Sequence, residues 1–215
     1  EGIEKVVEEL HPDYLLVYGD TNSTLAGAIA ASKIHLPVIH VEAGLRSYNK
    51  SMPEEINRIM CDHVSTLLFS PTTTGVENLK KEGFQIENQP PYTIDNPKVY
   101  HSGDIMYDNS LHFAKQASTQ STILSRLDLV DKPYVLCTIH RDNNTDIPSR
   151  LNAIFSALKS IEETHHQKII IPLHPRTKKI LATTLTEELY QQIHADKNIR
   201  IIEPVSFLDM IQLEE

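Results

Sequence analysis

The chain of 215 residues is 40% hydrophobic and 23% charged, so it can bury a core and does not belong to the disordered class. Its formal net charge of −9 argues against nucleic acid as a partner, because neutralising a phosphate backbone needs clustered Lys and Arg. No apolar run approaches the roughly 18 residues of a membrane span, and no signal peptide is visible, so we expect no membrane association. Cys61 and Cys137 are expected to be free thiols, which favours a cytoplasmic location.

The first half of the chain alternates between helical and strand patterns. Apolar residues at helical spacing over 3–10 are followed at 14–18 by a continuous apolar run, which is typical of a strand buried on both faces. The strands predicted here are 14–18, 37–41, 66–70 and 98–104. The helices predicted between them are 22–34, one that begins at Pro53, and about 73–82 with Gly83 just beyond its end. Residues 84–97 contain three prolines and no periodicity, so we expect a surface loop there.

A helical pattern over 105–127 without a strand separates this region from a second alternating one. The later strands are predicted at 134–139, 168–173 and 199–203, and the later helices at 147–164, at 176–193 and in the C-terminal segment. Alternating strands and helices predict parallel sheets, so the expected fold class is α/β. We divide the chain into an N-terminal domain at 1–104 and a C-terminal domain at 105–215. Because both ends lie in helical patterns, we expect a piece of a longer protein.

Polar residues follow the predicted strands at one end. Asp20, Glu42, His140 and His174 each come at or just after a strand, and Glu54 lies on the connection that follows Glu42. Ligands bind at this edge in open α/β sheets. Each residue also has a purely structural interpretation. Asp20 could stabilise a turn by accepting hydrogen bonds from backbone amides, and Glu54 could interact favourably with the dipole of its helix. The two histidines could be polar residues at the sheet edge whose hydrogen bonds are satisfied within the protein. Their joint placement favours a ligand site.

Several other kinds of site are disfavoured by spacing. Neither H-x-x-x-H nor C-x-x-C occurs, so we expect no metal site. The patterns G-x-S-x-G, G-x-x-x-x-G-K-[ST] and G-x-G-x-x-G are also absent, which leaves a hydrolase triad, a P-loop and a dinucleotide fingerprint unsupported. An ionised Glu42 directly after a buried strand needs a partner, and Arg46 is either that partner or a ligand-binding residue.

Longer motifs occur in a fixed order along the chain. They are YGDTNSTLAGAIAA, PVIHVEAGLRS, MPEEINR, FSPTTTGVENLKKEG, TIHRDNNTD, PLHPR and EPVSFLDM. These segments closely resemble the non-hydrolysing UDP-N-acetylglucosamine 2-epimerases, and the similarity covers nearly the whole chain. The resemblance implies two Rossmann-like domains that face a cleft, the GT-B arrangement, in a homodimer. It also implies interconversion of UDP-GlcNAc and UDP-ManNAc without a redox cofactor.

The resemblance also assigns expected roles to individual residues. Asp20, Glu42 and Glu54 match the catalytic acids of the family, and His140 matches its essential histidine near the nucleotide. The candidate substrate-binding residues are Arg46, Arg141 and His174, the last two on the pyrophosphate side.

The implied reaction explains why several carboxylates are needed. The proton on C2 of the sugar is not acidic, because an acetamido nitrogen is no electron sink. The route is elimination of UDP across C1–C2 to give 2-acetamidoglucal, followed by addition of UDP with the proton delivered to the opposite face of C2. This needs acid and base groups around C2 and positive charge at the departing pyrophosphate.

The chain departs from the family pattern at one matched position. Asn143 stands where the family usually has Glu, two residues after the His-Arg pair, with Asp142 before it. By this resemblance, we expect the family's N-terminal strand with its Gly-Thr-Arg-Pro loop to lie outside this piece of the protein. We expect the same of the downstream Ser-Gly-Gly and Glu that contact UDP in the family.

Three other functions are also compatible with the sequence. A GT-B glycosyltransferase has the same architecture but would not need three carboxylates around C2. The hydrolysing epimerase relative releases UDP and free ManNAc, although the segment HVEAGLRS favours the non-hydrolysing branch. A non-catalytic sensor of nucleotide sugars would bind without turnover.

Overall fold

The computed structural model describes residues 2–140 and 142–215. Contacts divide the chain into two compact units, Glu1–Asp108 (unit 1) and Asn109–Glu215 (unit 2). The division lies close to the boundary placed between 104 and 105 from the sequence. That these units correspond to the domains of the complete protein stays a prediction. Among the described helices, none has both the length and the apolar character needed to cross a bilayer.

Unit 1 contains a four-stranded sheet flanked by helices. Its elements are α1 (Gly2–Leu10), β1 (Leu15–Tyr18), α2 (Asn22–Lys33), β2 (Val38–Val41), α3 (Pro53–His63), β3 (Leu67–Ser70), α4 (Thr73–Lys81) and β4 (Lys98–His101). The strand order is β1-β2-β3-β4, and all neighbouring strands are parallel. The alternation of strands and helices predicted for this region is therefore confirmed.

Local signals explain where the helices of unit 1 begin and end. The Thr21 side chain caps α2 by accepting a hydrogen bond from the Thr24 amide. Pro53 occupies the first turn of α3, where its missing N–H costs no helical bond. Gly83, with φ of +99°, follows the C-cap of α4 as predicted. Residues 84–97 contain no helix or strand, which confirms the predicted loop.

Strand β1 differs from its prediction. The continuous apolar run at 14–18 predicts burial on both faces, but Leu16 and Tyr18 are 46% and 63% exposed. Only Val17 is buried, in a cluster with Ala28 and Ala31 of α2. β1 is at the edge of the sheet, and the described residues cover one of its faces.

Unit 2 contains a three-stranded parallel sheet in the order β5-β6-β7. The elements of this half of the chain are α5 (Ile105–Gln120), α6 (Ile123–Arg126), β5 (Tyr134–Leu136), α7 (Asp142–Thr145), α8 (Pro148–His165), β6 (Lys168–Pro172), α9 (Pro175–Thr184), α10 (Glu187–Ala195), β7 (Ile199–Ile202) and α11 (Phe207–Glu214). The core joins α8, α9 and α10 to the sheet, with Phe155, Ile169 and Ile171 fully buried.

The structure breaks the predicted helix over 105–127 and divides the segment 176–193, predicted as mostly helical, into two helices. The pattern over 105–127 breaks between α5 and α6, where the Ser121 hydroxyl accepts from the Ile123 amide at 3.2 Å and donates to Asp209. The pattern over 176–193 breaks before Thr186, whose side chain caps α10. In both cases a short hydroxyl side chain competes with the helical hydrogen bonds, and this competition is local enough to end a helix.

The turn after β2 packs directly on α4. Gly44 has φ of +81°, and a Cβ on it would lie 2.4 Å from the carbonyl oxygen of Gly75. A Cβ on Gly75 would in turn lie 2.3 Å from the Ser70 hydroxyl. The two glycines therefore allow a backbone approach that no other residue permits, and this approach fixes the turn that begins at Glu42.

We expect Gly44→Ala to lower the free energy of unfolding by at least about 3 kcal/mol, since it adds a backbone clash to left-handed strain. The matched control is Gly83→Ala, which is also left-handed but has open space around the new Cβ. That variant should lose only about 1–2 kcal/mol. Urea unfolding of both variants measures the difference, and equal losses would show that the contact with Gly75 is not tight.

Candidate active site

A cavity of about 290 Å³ lies at the carboxyl edge of the sheet in unit 1. Its lining includes Tyr18, Val41, Glu42, Phe69, Ser102 and Asp104. The register of the sheet places Tyr18, Val41 and Phe69 side by side in neighbouring strands. The cavity is therefore formed by strand ends and the residues that follow them, which is where ligands bind in sheets of this type.

Glu42 presents its carboxylate to this cavity. Its backbone is left-handed, with φ of +78°, and its amide donates to the Phe69 carbonyl at 3.0 Å. Its Oε2 lies 3.1 Å from the position that a Cβ on Gly19 would occupy, so the side chain faces the end of β1. Among the described residues, none donates a hydrogen bond to this carboxylate. Glu42 is thus placed to exchange a proton with a ligand.

The surroundings of Glu42 raise its pKa above the usual 4.5. Burial has the largest effect, and the negative charges of Asp20 and Asp104 add to it. His40 and Arg58 act in the opposite direction without cancelling the shift. A carboxyl group with a raised pKa holds its proton closer to neutral pH, which suits a general acid or base.

Asp20 lies beside Glu42 in a different environment. Its carboxylate forms an ion pair with the Arg58 guanidinium, and its carbonyl oxygen accepts from the Asn57 side chain at 2.8 Å. Both partners come from α3, so this helix holds the loop after β1. The Asp20 side chain remains 34% exposed and accessible to a ligand.

Glu55 is a buried structural acid that sequence reasoning does not distinguish from its neighbour Glu54. Its carboxylate accepts from the Ser47 and Tyr48 amides at 2.9 Å and from the Ser47 hydroxyl and Arg58. Burial alone would raise its pKa, but these hydrogen bonds outweigh burial and lower the pKa to about 2. Glu55 therefore attaches the segment after the Glu42 turn to α3.

Glu54 is not among the acidic residues that act on the pKa of Glu42, whereas Asp20 is. Glu54 lies half-buried in the first turn of α3, and no hydrogen bond or ion pair reaches its side chain within the described residues. The structure instead adds Asp104, which acts on Glu42 and lines the same cavity. Asp104 follows β4 closely, so the rule that singled out Asp20 could have found it.

Arg46 is buried and paired with protein groups. Its side chain is 1% exposed, and it bonds Asp62 and Glu82 at 2.7 Å each and the Leu45 carbonyl at 2.8 Å. The guanidinium is thus buried and occupied by protein groups. The alternative that Arg46 pairs with Glu42 is wrong, because the carboxylates it pairs with are Asp62 and Glu82. Its role in substrate binding stays a prediction.

A second cavity, of about 340 Å³, lies at the carboxyl edge of the sheet in unit 2. It brings together His140 and His174, as predicted, and adds Arg176 and Thr177. His174 caps α9, and its Nδ1 accepts from the Arg176 amide at 3.3 Å. Exposed imidazole and guanidinium groups at a helix N-terminus suit an anionic ligand. Arg141 lies outside the described residues.

Arg176 was missed by sequence reasoning, although it belongs to the quoted motif PLHPR. A cation in the first turn of a helix that directly follows a strand is the signal that could have identified it. Its guanidinium also pairs with Asp146 at 2.6 Å.

The cysteines and possible metal ligands show no further site. Cys61 and Cys137 are free thiols, and burial raises the pKa of Cys61 to about 12. Within residues 2–140 and 142–215, no group of three or more His, Cys, Asp or Glu side chains is arranged to hold a metal ion.

Comparison with known proteins identifies the class. The fold is of the GT-B type, as in a solved UDP-GlcNAc 2-epimerase of Methanocaldococcus jannaschii in complex with UDP-GlcNAc and UDP. That structure matches with a TM-score of 0.75 and 39% identity, covering 99% of this chain and 55% of the other. The family model of UDP-N-acetylglucosamine 2-epimerases matches residues 1–215. The chain belongs to this family.

Curated relatives give the same result. A UDP-N-acetylglucosamine 2-epimerase homolog of Methanococcus maripaludis is 44% identical over 213 residues, which cover 99% of this chain and 55% of the relative. A UDP-2,3-diacetamido-2,3-dideoxy-D-glucuronate 2-epimerase of Pseudomonas aeruginosa is 42% identical over 211 residues, covering 98% and 53%. The chain thus spans about half the length of the curated relatives it matches.

We expect Glu42→Gln to increase the free energy of unfolding near pH 7–8. Because the folded-state pKa of Glu42 is raised, its contribution to stability is fully present below 4.5 and is lost as the pH rises through the raised value. The gain of the variant over the wild type should therefore grow with pH and vanish below about 4.5. Urea unfolding across this range measures it, and a gain that is independent of pH would contradict the electrostatic origin.

Glu55→Gln is the matched control, and it should lower the free energy of unfolding where Glu42→Gln raises it. The folded-state pKa of Glu55 is about 2, so its stabilising effect is present above 4.5 and is lost as the pH falls towards 2. This variant should lose about 3 kcal/mol at pH 7, as expected when one member of a buried pair is removed. The same urea series should show that its deficit shrinks on acidification.

Proposed function

We propose that the complete protein interconverts UDP-GlcNAc and UDP-ManNAc by elimination and re-addition of UDP, without hydrolysis. The observation that supports this most strongly is the meeting of Asp20 and Glu42 at one sheet edge in different environments. The Asp20 carboxylate is ion-paired with Arg58. The Glu42 carboxylate has no hydrogen-bond donor within the described part of the chain, and its pKa is raised. Two acidic groups in different environments at one edge suit acid–base chemistry at a single carbon.

The proposed steps use these carboxylates in turn. One group removes the proton from C2 while the bond between C1 and the UDP oxygen breaks, which gives 2-acetamidoglucal and UDP. A second group then delivers a proton to the opposite face of C2 while the UDP oxygen forms its bond to C1. Glu54, in the first turn of α3, is the third candidate acid.

We propose that UDP binds in the second cavity, with His140, His174 and Arg176 near the pyrophosphate. Positive charge there would stabilise the negative charge that develops as UDP leaves. The Methanocaldococcus jannaschii relative was solved in complex with UDP-GlcNAc and UDP, which supports a nucleotide-sugar ligand for this chain. From the family resemblance we also propose Arg141 as a pyrophosphate ligand, a homodimeric state and a cytoplasmic location.

The Pseudomonas aeruginosa relative points to a second candidate substrate. Its name specifies a 2,3-diacetamido glucuronate, whose sugar carries an additional carboxylate. In the proposed mode the sugar lies near Glu42, in a cavity that Asp104 and Asp108 also line. Among the residues that the structure describes, the lining of this cavity includes no Lys or Arg. Like charges there disfavour a glucuronate and favour the neutral sugar of UDP-GlcNAc.

Proton NMR of UDP-GlcNAc with the complete protein in D₂O tests the proposed function. UDP-ManNAc should appear, and both epimers should gain deuterium at C2, because the base exchanges its proton with solvent between the two steps. The diacetamido glucuronate substrate should react at least tenfold more slowly in a parallel sample. Release of free ManNAc would indicate a hydrolysing enzyme, and binding without any reaction would indicate a sensor. Full retention of hydrogen at C2 would contradict the proposed proton exchange.

Single substitutions of the three acids should separate their roles. Asp20→Asn, Glu42→Gln and Glu54→Gln should each lower turnover by at least about 100-fold, the usual scale for a general acid or base. The control is Glu87→Gln, an exposed residue of the 84–97 loop, which should keep normal turnover. Near-normal turnover of Glu54→Gln would favour the helix-dipole interpretation of that residue.

A further inference from the structure

A buried group of side chains contacts the loops after β1 and β2, and the proposed function does not use it. His40 of β2 and Asp62 of α3 are both fully buried, with Nδ1 and Oδ1 2.7 Å apart. The other ring nitrogen, Nε2, lies 2.8 Å from the carbonyl oxygen of Gly19. Asp62 also accepts from the Gly44 amide at 3.1 Å and from Arg46 at 2.7 Å. We call His40 and Asp62 the central pair.

Both ring nitrogens of His40 face acceptors. The Gly19 carbonyl can only accept a hydrogen bond, and so can an ionised Asp62 carboxylate. Nε2 must therefore carry a proton for the bond to Gly19, and one further proton lies between Nδ1 and Oδ1 for the bond to Asp62. The charged groups around the ring are Asp62, Arg46, which pairs with Asp62, and Glu42, which lies two residues along the chain. Arg46 also forms an ion pair with Glu82.

The central pair holds the backbone on both sides of the candidate acids. Gly19 directly precedes Asp20, and its amide and carbonyl are bound by Val41 and His40, both of β2. Gly44, which closes the turn that presents Glu42, is bound by Asp62. One pair of side chains thus fixes two loops that come from different strands.

We propose that His40 and Asp62 are positioning residues that keep Asp20 and Glu42 in register for the two proton transfers. This inference rests on the proposed function. The close approach of Glu42 Oε2 to Gly19 means that movement of the Gly19 carbonyl changes the surroundings of both acids together. A shift of about 1 Å in such a site can lower the rate by roughly 100-fold.

Two substitutions of His40 separate its two bonds. The Asn amide can replace Nδ1, so His40→Asn keeps a donor to Asp62 and loses the bond to Gly19. The Gln amide reaches to the position of Nε2, so His40→Gln keeps the donor to Gly19. His40→Asn should lower turnover by about 10- to 100-fold with KM changed less than threefold. His40→Gln should recover at least part of the turnover that His40→Asn loses.

Ser65→Ala is the matched control for the loss of one buried hydrogen bond in unit 1. The Ser65 hydroxyl donates to the Cys61 carbonyl at 2.6 Å, and within the described residues it makes no bond to either loop. Turnover in this variant should change less than threefold. Equal turnover losses in Ser65→Ala and His40→Asn would overturn the positioning role, because the effect would then follow stability alone.

Two measurements do not depend on turnover. Hydrogen exchange over residues 17–46 should be faster in His40→Asn than in Ser65→Ala, and equal rates would overturn the proposal. In the wild-type protein labelled with ¹⁵N-histidine, NMR should show a proton on Nε2 of His40, which the bond to the Gly19 carbonyl requires. An Nε2 without a proton would overturn the proposal even if His40→Asn does not fold. A wild-type protein without turnover would refute the proposed function, while these two measurements would still decide whether His40 holds the loops.

Discussion

All the strand pairs described in both sheets are parallel. Parallel pairing brings the carboxyl ends of the strands of a sheet to one edge, so the loops that follow them are neighbours in space. In unit 1 this arrangement gathers Asp20, Glu42 and Asp104 from three separate connections. Antiparallel pairing would send alternate loops to opposite edges and would leave no cavity of this kind.

The acidic residues of unit 1 carry the same functional group, but they differ in how many hydrogen-bond donors reach their carboxylates. Glu55 has two amides, a hydroxyl and a guanidinium, and it is a structural anion. Asp20 shares Arg58 with it. Glu42 has no donor among the described residues and faces two further negative charges. Arg58 thus links a structural acid to a candidate catalytic one, and α3 supplies both the support and the candidate Glu54.

The sequence was sufficient for the order of helices and strands, because periodicity and capping signals act over a few residues. It failed for the exposed face of β1 and for the break near Ser121, since these depend on which surfaces are covered and on a local competition for hydrogen bonds. At the site, strand ends could be predicted, and so could the residues just after them. The partners of Arg46 and the burial of Glu55 could not, because these contacts join positions that are distant in the chain.

The left-handed backbone at Glu42 has a consequence for any search for improved variants. A non-glycine residue with φ of +78° is strained by about 1–2 kcal/mol, and here it also places a partly buried charge near two others. Glycine or asparagine at this position would relieve both penalties. Libraries selected only for solubility or heat resistance would therefore enrich replacements of this residue, and the enriched clones would be inactive enzymes under the proposed mechanism. Position 42 is best held constant in such libraries, or paired with a selection for activity.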